Sequence, residues 1–256
     1  MVNYRSVLIL IFWWTWIFPS IAQVRYEGDT VYKFSQDIIR NIDVQNPDFA
    51  RAAQDFSFIG DYKNALCYAE KLRQPFPSIS DEVKEYFLRF QPVDAMDYVL
   101  GIADTARIIM INEAHHVAYH RTFIHSLLKG LYERGFRYYG AETINVGDTL
   151  LNSRRSPILT SGYYTVEPEF GNLLREALSL GFRVFGYEAR SAESFSSPKA
   201  RETEQAQHIY EVLQSDPDAK ILIHAGYDHI REDSLGGTWE KAMARRFKDL
   251  SGINPV

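Results

Sequence analysis

Only one cysteine, Cys67, occurs in the 256 residues, so no internal disulfide and no cysteine-based zinc site is available. Cys67 stands beside Leu66 and Tyr68 in an amphipathic helical stretch, and it is expected there as a small buried apolar residue rather than a nucleophile. There is no basic stripe: the cations are scattered singly or in pairs (Arg154-Arg155, Arg245-Arg246) and the formal net charge is −5, which argues against nucleic acid as a partner. A Gly-x-Ser-x-Gly elbow is absent, so no serine nucleophile is marked, and H-E-x-x-H zinc spacing is absent as well.

Long apolar runs are also missing. The run at residues 7–18, interrupted only by Thr15, falls short of the ~20 residues that cross a bilayer as a helix. Arg5 precedes it, Pro19 and Ser20 break it, and Ser20-Ile21-Ala22 has the small-x-small form of a signal-peptidase site. Residues 1–22 are therefore expected to be a signal peptide, with Gln23 as the new N-terminus. The protein is expected to be exported, periplasmic or secreted, with no stable membrane anchor after cleavage.

What is present is an ordinary globular composition, 46% hydrophobic and 24% charged. Residues 23–93 read as a helical N-terminal region. Within it, residues 47–73 give a helix, a Gly-Asp break and a second helix, similar to one tetratricopeptide-type hairpin, most visibly in GDYKNAL. One such unit cannot bury its faces alone, so it is expected to rest on the main domain, and its sequence names no protein partner. Pro75, Pro77 and Ser78 mark a linker, and residues 81–90 form a further helical stretch.

From residue 94 onward short apolar runs alternate with helical stretches. Strands are predicted at 107–112, 136–141, 182–187 and 220–223, and helices at 118–134, 171–180, 200–213 and 238–249. This pattern predicts an α/β fold, a mainly parallel sheet flanked by helices, over residues 94–256. The phrase helix–Gly–Phe–Arg–strand occurs twice (ERGFRYYG and SLGFRVFG), with the glycine as a left-handed helix cap.

Chemistry collects where the apolar runs end. Glu113 follows IIMIN, Glu142 follows FRYYGA, Glu188 follows FRVFGY and His224 follows KILI. Parallel strands open their C-termini on one edge, where ligands bind, so these four side chains are expected to converge. Carboxylates and imidazoles held together there are equipment for general acid–base work. His115 and His116 follow Glu113 directly, and Asp228 and His229 follow the small-residue turn after His224. Thus four of the seven histidines fall at two strand ends, and His120, His125 and His208 read as surface or packing residues. Arg121 and Arg190 are candidates to orient an anionic substrate or an oxyanion, with salt bridges to these carboxylates as the structural alternative. Asp228 is a candidate to fix a histidine tautomer.

The segment NEAHHVAYHRTFIHSLLKGLYERGFRYYGAET resembles the opening motif of the erythromycin-esterase-like superfamily, and HAGYDH is similar to its late histidine motif. That group is in turn similar to iron-regulated haem-binding lipoproteins and Tiki-type metalloproteases. The resemblance covers roughly residues 105–230. It implies that Glu113 with His115 or His116 is the signature pair, that Glu142 is the carboxylate of the next strand and that His229 is the late histidine. Asn112 stands where the signature has glycine, and Val256 follows soon after the last predicted helix, where the resemblance implies further sheet or helix.

Three readings follow. The first is an exported esterase-like hydrolase of a small-molecule ester, in which a His/Glu pair activates water. Here Glu113, His115, His116, Glu142 and His229 are catalytic, and Arg121, Glu188, Arg190, His224 and Asp228 bind substrate. The second is a hydrolase or protease using a divalent metal (Zn, Mn or Fe) held by His115, Glu142 and His229. The third is a non-enzymatic haem- or metal-binding protein, with Tyr138, Tyr139, Tyr163 and Tyr164 as haem contacts.

Overall fold

A computed structural model of the chain describes residues 32–72 and 78–256. The expected signal peptide, Gln23 and the linker prolines Pro75 and Pro77 lie outside those residues. The helical segment consists of α1 (Ser35–Arg40), α2 (Phe49–Phe58), α3 (Tyr62–Glu70), α4 (Asp81–Leu88) and α5 (Ala95–Ile102). Helices α2 and α3 form a hairpin because Asp48 and Asp61 each accept a backbone N–H three residues on, from Arg51 and Asn64, and so start a new helix. Ala52, Phe56 and Ala65 are buried between the two helices with Ile38 of α1. Cys67 corrects the expectation set for it: Ala65 and Ala69 turn inward from α3, and Cys67, between them, is exposed.

The sheet is α/β as the alternation predicts. Strands β1 (Ile108–Glu113), β2 (Tyr138–Ala141), β3 (Arg183–Gly186) and β4 (Ile221–Gly226) are parallel, in the order β1-β4-β2-β3. Helix α6 (Ala118–Glu133) follows β1. The short α7 (Leu151–Arg154), a 3₁₀ turn (Tyr163–Val166) and α8 (Pro168–Leu180) lie between β2 and β3. The short α9 (Ala192–Phe195) and the long α10 (Pro198–Ser215) lead to β4. The repeated Gly-Phe turns work as caps: Gly135 and Gly181 take φ of +88° and +102°, and each strand follows at once.

Two apolar layers hold the sheet. On one face Ile109, Tyr139, Val184 and Leu222 meet Ile124, Leu128 and Leu131 of α6 and Leu174 and Leu178 of α8. On the other, Ile108, Ile221 and Ile223 meet Ala206, Ile209 and Leu213 of α10 and Phe247 of the last helix. Each large aliphatic side chain buried this way contributes roughly 1.5–3 kcal/mol. All six residues of β4 are buried, as suits a central parallel strand. The described helical segment and the sheet belong to one compact unit, residues 32–256.

The last predicted helix needs correcting. Glu240–Lys241, expected near its start, form β6, which pairs antiparallel with β5 (Ser234–Gly236), and α11 runs over Met243–Ser251. Glu240 has φ of +57°, a left-handed value that a helix interior excludes. The helix starts instead where the buried Glu202 accepts the Met243 N–H at 2.7 Å. No helix among the described residues is long and apolar enough to cross a membrane.

Candidate functional site

Strand periodicity and strand order together assemble the site. Glu113 on β1, His224 on β4 and Tyr139 on β2 project to the same face of the sheet, and β4 lies between the other two strands. The Tyr139 hydroxyl is 2.7 Å from His224 Nδ1, and His224 Nε2 is 2.9 Å from Glu113 Oε2. This relay crosses three strands and is buried throughout.

Glu113 is the hub of the first half. Arg121 donates to it twice, Nε to Oε2 at 2.7 Å and Nη2 to Oε1 at 2.6 Å, and His115 Nδ1 donates to Oε1 at 2.8 Å. Burial pushes the Glu113 carboxyl up, but attraction to His224 and the hydrogen bonds from Arg121, His115 and His224 hold it well below the usual carboxylate range. Arg121 Nη1 also donates to Glu167 at 2.7 Å. Glu167 caps α8 through the N–H groups of Glu169 and Phe170, and accepts the Tyr62 hydroxyl at 2.8 Å. A chain of polar contacts therefore runs from the α2–α3 hairpin to the end of β1.

Glu142 is the hub of the second half. Gly226 N donates to Oε2 at 2.8 Å, Arg201 Nη2 donates to Oε1 at 2.6 Å, and His229 Nε2 is 3.3 Å from Oε1. Burial raises this carboxyl, yet the hydrogen bond and charge of His229, with the charge of Arg201, bring it down to about 2. His229 Nδ1 is 2.7 Å from Glu202 Oε1, an ion pair set off the N–H line. Desolvation lowers the basicity of His229, but its two carboxylate partners outweigh that and push it up to about 9, so it is an imidazolium at neutral pH. Arg201 also clamps Glu188 (2.5 and 3.0 Å), which Gln205 holds at 2.8 Å.

The two halves meet at His115 and Gly226. A Cβ on Gly226 would lie 3.0 Å from His115 Nε2 and 3.2 Å from Glu142 Oε2, so only a bare backbone leaves these atoms their places. His115 stacks on Tyr164, centroids 4.6 Å apart, and is 38% exposed, unlike the other members of the cluster. A cavity of about 10 Å³, lined by Glu113, His115, Glu142, Thr143 and Tyr164 among others, has room for about one water. The Thr143 hydroxyl is buried without a hydrogen-bond partner among the described residues.

The placement sorts the sequence candidates. Glu113, His115, Glu142, His224 and His229 share one connected cluster, and Glu188 joins it through Arg201. His116 lines a larger outer cleft, which His115 lines as well. Three of the substrate-binding candidates lie away from the open part of the cluster. Arg121 is fully buried and holds Glu113 and Glu167, so a substrate does not reach it. Arg190 is exposed and, among the described residues, bonds through its N–H to Glu204; the arginine that α10 aims at the carboxylates is Arg201. Asp228 is exposed, 3.7 Å from Arg231, and the acid beside a histidine there is Glu202.

His115, Glu142 and His229 do not fit a metal ion. Both nitrogens of His229 face carboxylates, His115 Nδ1 is spent on Glu113, and the Arg201 guanidinium occupies the cation position at Glu142. No group of three or more His, Cys, Asp or Glu among the described residues is arranged to hold a metal. The four tyrosines named for haem do not converge: Tyr138 bonds Asp216, Tyr139 is buried on His224, Tyr163 bonds Gln54 and Tyr164 stacks on His115.

Glu167, Arg201, Glu202 and Thr143 were not among the sequence candidates. A signal exists for Glu202: it lies on the same stripe of α10 as the buried Ala206, Ile209 and Leu213, a charged residue where the core asks for an apolar one.

Fold and site thus define an α/β protein with a carboxylate–histidine cluster at the C-terminal edge of a parallel sheet. No family model and no curated protein matches the chain. Among solved structures it is similar to the type III effector HopBA1, at 14% identity and TM-score 0.44 over 57% of this chain and 78% of that one. It is also similar to a bacterial protein toxin (16%, TM-score 0.46, 77% of this chain and 43% of that one). A third is RRSP, a MARTX toxin effector domain from Vibrio vulnificus (16%, TM-score 0.43, 84% and 42%). The chain spans less than half the length of the latter two.

Proposed function

We propose that this chain is an exported hydrolase of the esterase-like class in which His115, held by Glu113, activates water against an ester carbonyl. The observation that supports this reading most is the direction of the His115 ring. Nδ1 is fixed on an ionised carboxylate, which leaves Nε2 beside Gly226, and His115 lines the water-sized cavity with Glu142. A neutral imidazole so oriented has its lone pair on Nε2, free to accept a proton from a water bound in that cavity.

In the proposed step Nε2 takes a proton from that water as its oxygen bonds to the carbonyl carbon, and Glu142 orients the water. The tetrahedral oxyanion accepts hydrogen bonds from the hydroxyls of Tyr164 and Thr143, both of which line the cavity. Burial and the charges of Glu142 and Glu113 raise the Tyr164 phenol, keeping it protonated as a donor. Collapse breaks the carbonyl–alkoxide bond, and the leaving oxygen takes the proton from Nε2. With this role go the expected export and the erythromycin-esterase-like resemblance.

A panel of p-nitrophenyl esters and lactones tests the reading. His115→Ala should lower kcat by about 10²–10⁴-fold, the range for a general base, while His116→Ala retains most of the rate and EDTA leaves it unchanged. Full activity in His115→Ala, or hydrolysis abolished by EDTA and restored by Zn²⁺ or Mn²⁺, would overturn it.

A further inference from the structure

A larger cleft, about 390 Å³, shares His115 and Tyr164 with the water-sized cavity. Its opposite wall is the helical hairpin, chiefly Ala50, Arg51, Ala53 and Gln54 of α2 with Ala69 and Leu72 at the end of α3. The volume falls within the ~300–1,000 Å³ of small-molecule sites. We infer that the hairpin is the recognition element of this site, and that the cleft takes an amphiphilic anion: an apolar chain or ring against Ala50, Ala53 and Leu72, with its acidic group at Arg51.

Three observations carry this. Ala50, Ala53, Ala69 and Leu72 make an apolar stretch of the wall, beside the polar Asp48, Arg51 and Gln54, and Leu72 is 51% exposed. Arg51 spends only Nε, on Asp55 at 3.1 Å, so its two terminal nitrogens have no partner among the described residues. Asp55 is already matched by Lys33 at 2.7 Å, so one carboxylate serves two cations and an incoming anion meets unspent guanidinium donors. Finally, the hairpin is tied to the reactive cluster rather than loosely appended. Tyr62 donates to Glu167, Glu167 holds Arg121, and Tyr163, next to the stacked Tyr164, donates to Gln54 at 2.9 Å. A group bound in the cleft therefore lies against the His115 ring at a fixed position.

The substrate class rests on the hydrolase reading, and the test separates the two. The full chain is titrated with 1-anilinonaphthalene-8-sulfonate, an apolar anion whose fluorescence reports binding without catalysis. Hydrolysis of p-nitrophenyl acetate, hexanoate and hydrogen adipate is measured in parallel. Ala50→Trp, at an exposed helical position, fills the cleft. It should abolish the fluorescence rise and lower the hexanoate-to-acetate ratio of kcat/KM by about 10-fold or more, the scale of apolar-pocket discrimination. Arg51→Met should lower the adipate-to-hexanoate ratio and weaken probe binding, and Cys67→Ser, on the outward face of α3, should change neither. Probe binding that Ala50→Trp abolishes supports the cleft even where no ester is cut, and then the hydrolase reading alone fails. Probe binding and chain-length ratios indifferent to both Ala50→Trp and Arg51→Met would overturn the inference.

Discussion

His229 makes the protein's stability depend on alkaline pH, and the size of that dependence follows from its surroundings. The imidazole is nearly buried between Glu142 Oε1 at 3.3 Å and Glu202 Oε1 at 2.7 Å, with the Trp239 ring 5.7 Å away. Its two carboxylates raise it from 6.5 to about 9 against the opposing desolvation. A folded-state value above the unfolded one means that the native protein holds the proton more tightly. The contribution is fully present below pH 6.5 and lost as pH rises through about 9. At about 1.4 kcal/mol per pH unit, the interval amounts to roughly 3 kcal/mol. Urea unfolding at closely spaced pH values from 6 to 10 measures it, with His229→Gln as the reference for every other group that titrates there. The wild type should lose roughly 3 kcal/mol more than the variant across that range. A difference below about 1 kcal/mol, the worth of a solvent-exposed pair, would refute the reasoning that the two buried carboxylates fix His229 as a cation.

Other outcomes follow from the same geometry. Glu113→Gln leaves the buried Arg121 with Glu167 as its remaining carboxylate and should cost roughly 3–5 kcal/mol in urea unfolding, the range for breaking a buried pair. Gly226→Ala puts a methyl 3.0 Å from His115 Nε2. It should lower kcat by about 10²-fold, the effect of displacing a reacting group by about 1 Å, with the unfolding midpoint nearly unchanged. On the acid side Glu142, brought from 4.5 to about 2, contributes stability that is present above 4.5 and lost as pH falls through about 2. An acid titration of Glu142→Gln should lack that component.

The ends of four apolar runs place Glu113, Glu142, Glu188 and His224 toward the C-terminal edge of the sheet, because a strand's side-chain period and the parallel edge rule are local properties. The two Gly-Phe turns and the α2–α3 hairpin were legible for the same reason: a left-handed cap or an Asp N-cap is written in a few adjacent residues. What the sequence did not reveal is the order β1-β4-β2-β3. Chain order is silent about which strand takes the centre, yet the central position of β4 alone puts His224 within reach of Glu113 and Tyr139. Roles were also undecided until helices packed. Arg121 shares its stripe with Ile124, Leu128 and Leu131, and Glu202 shares one with Ile209 and Leu213, so each enters the core. There each meets partners more than forty residues distant, Glu167 for Arg121 and Met243 for Glu202. Sequence alone fixed which chemistry stands at the sheet's edge. Tertiary structure decided which histidine of the cluster keeps a nitrogen without a partner among the described residues, since that depends on who fills every other hydrogen-bonding position around it.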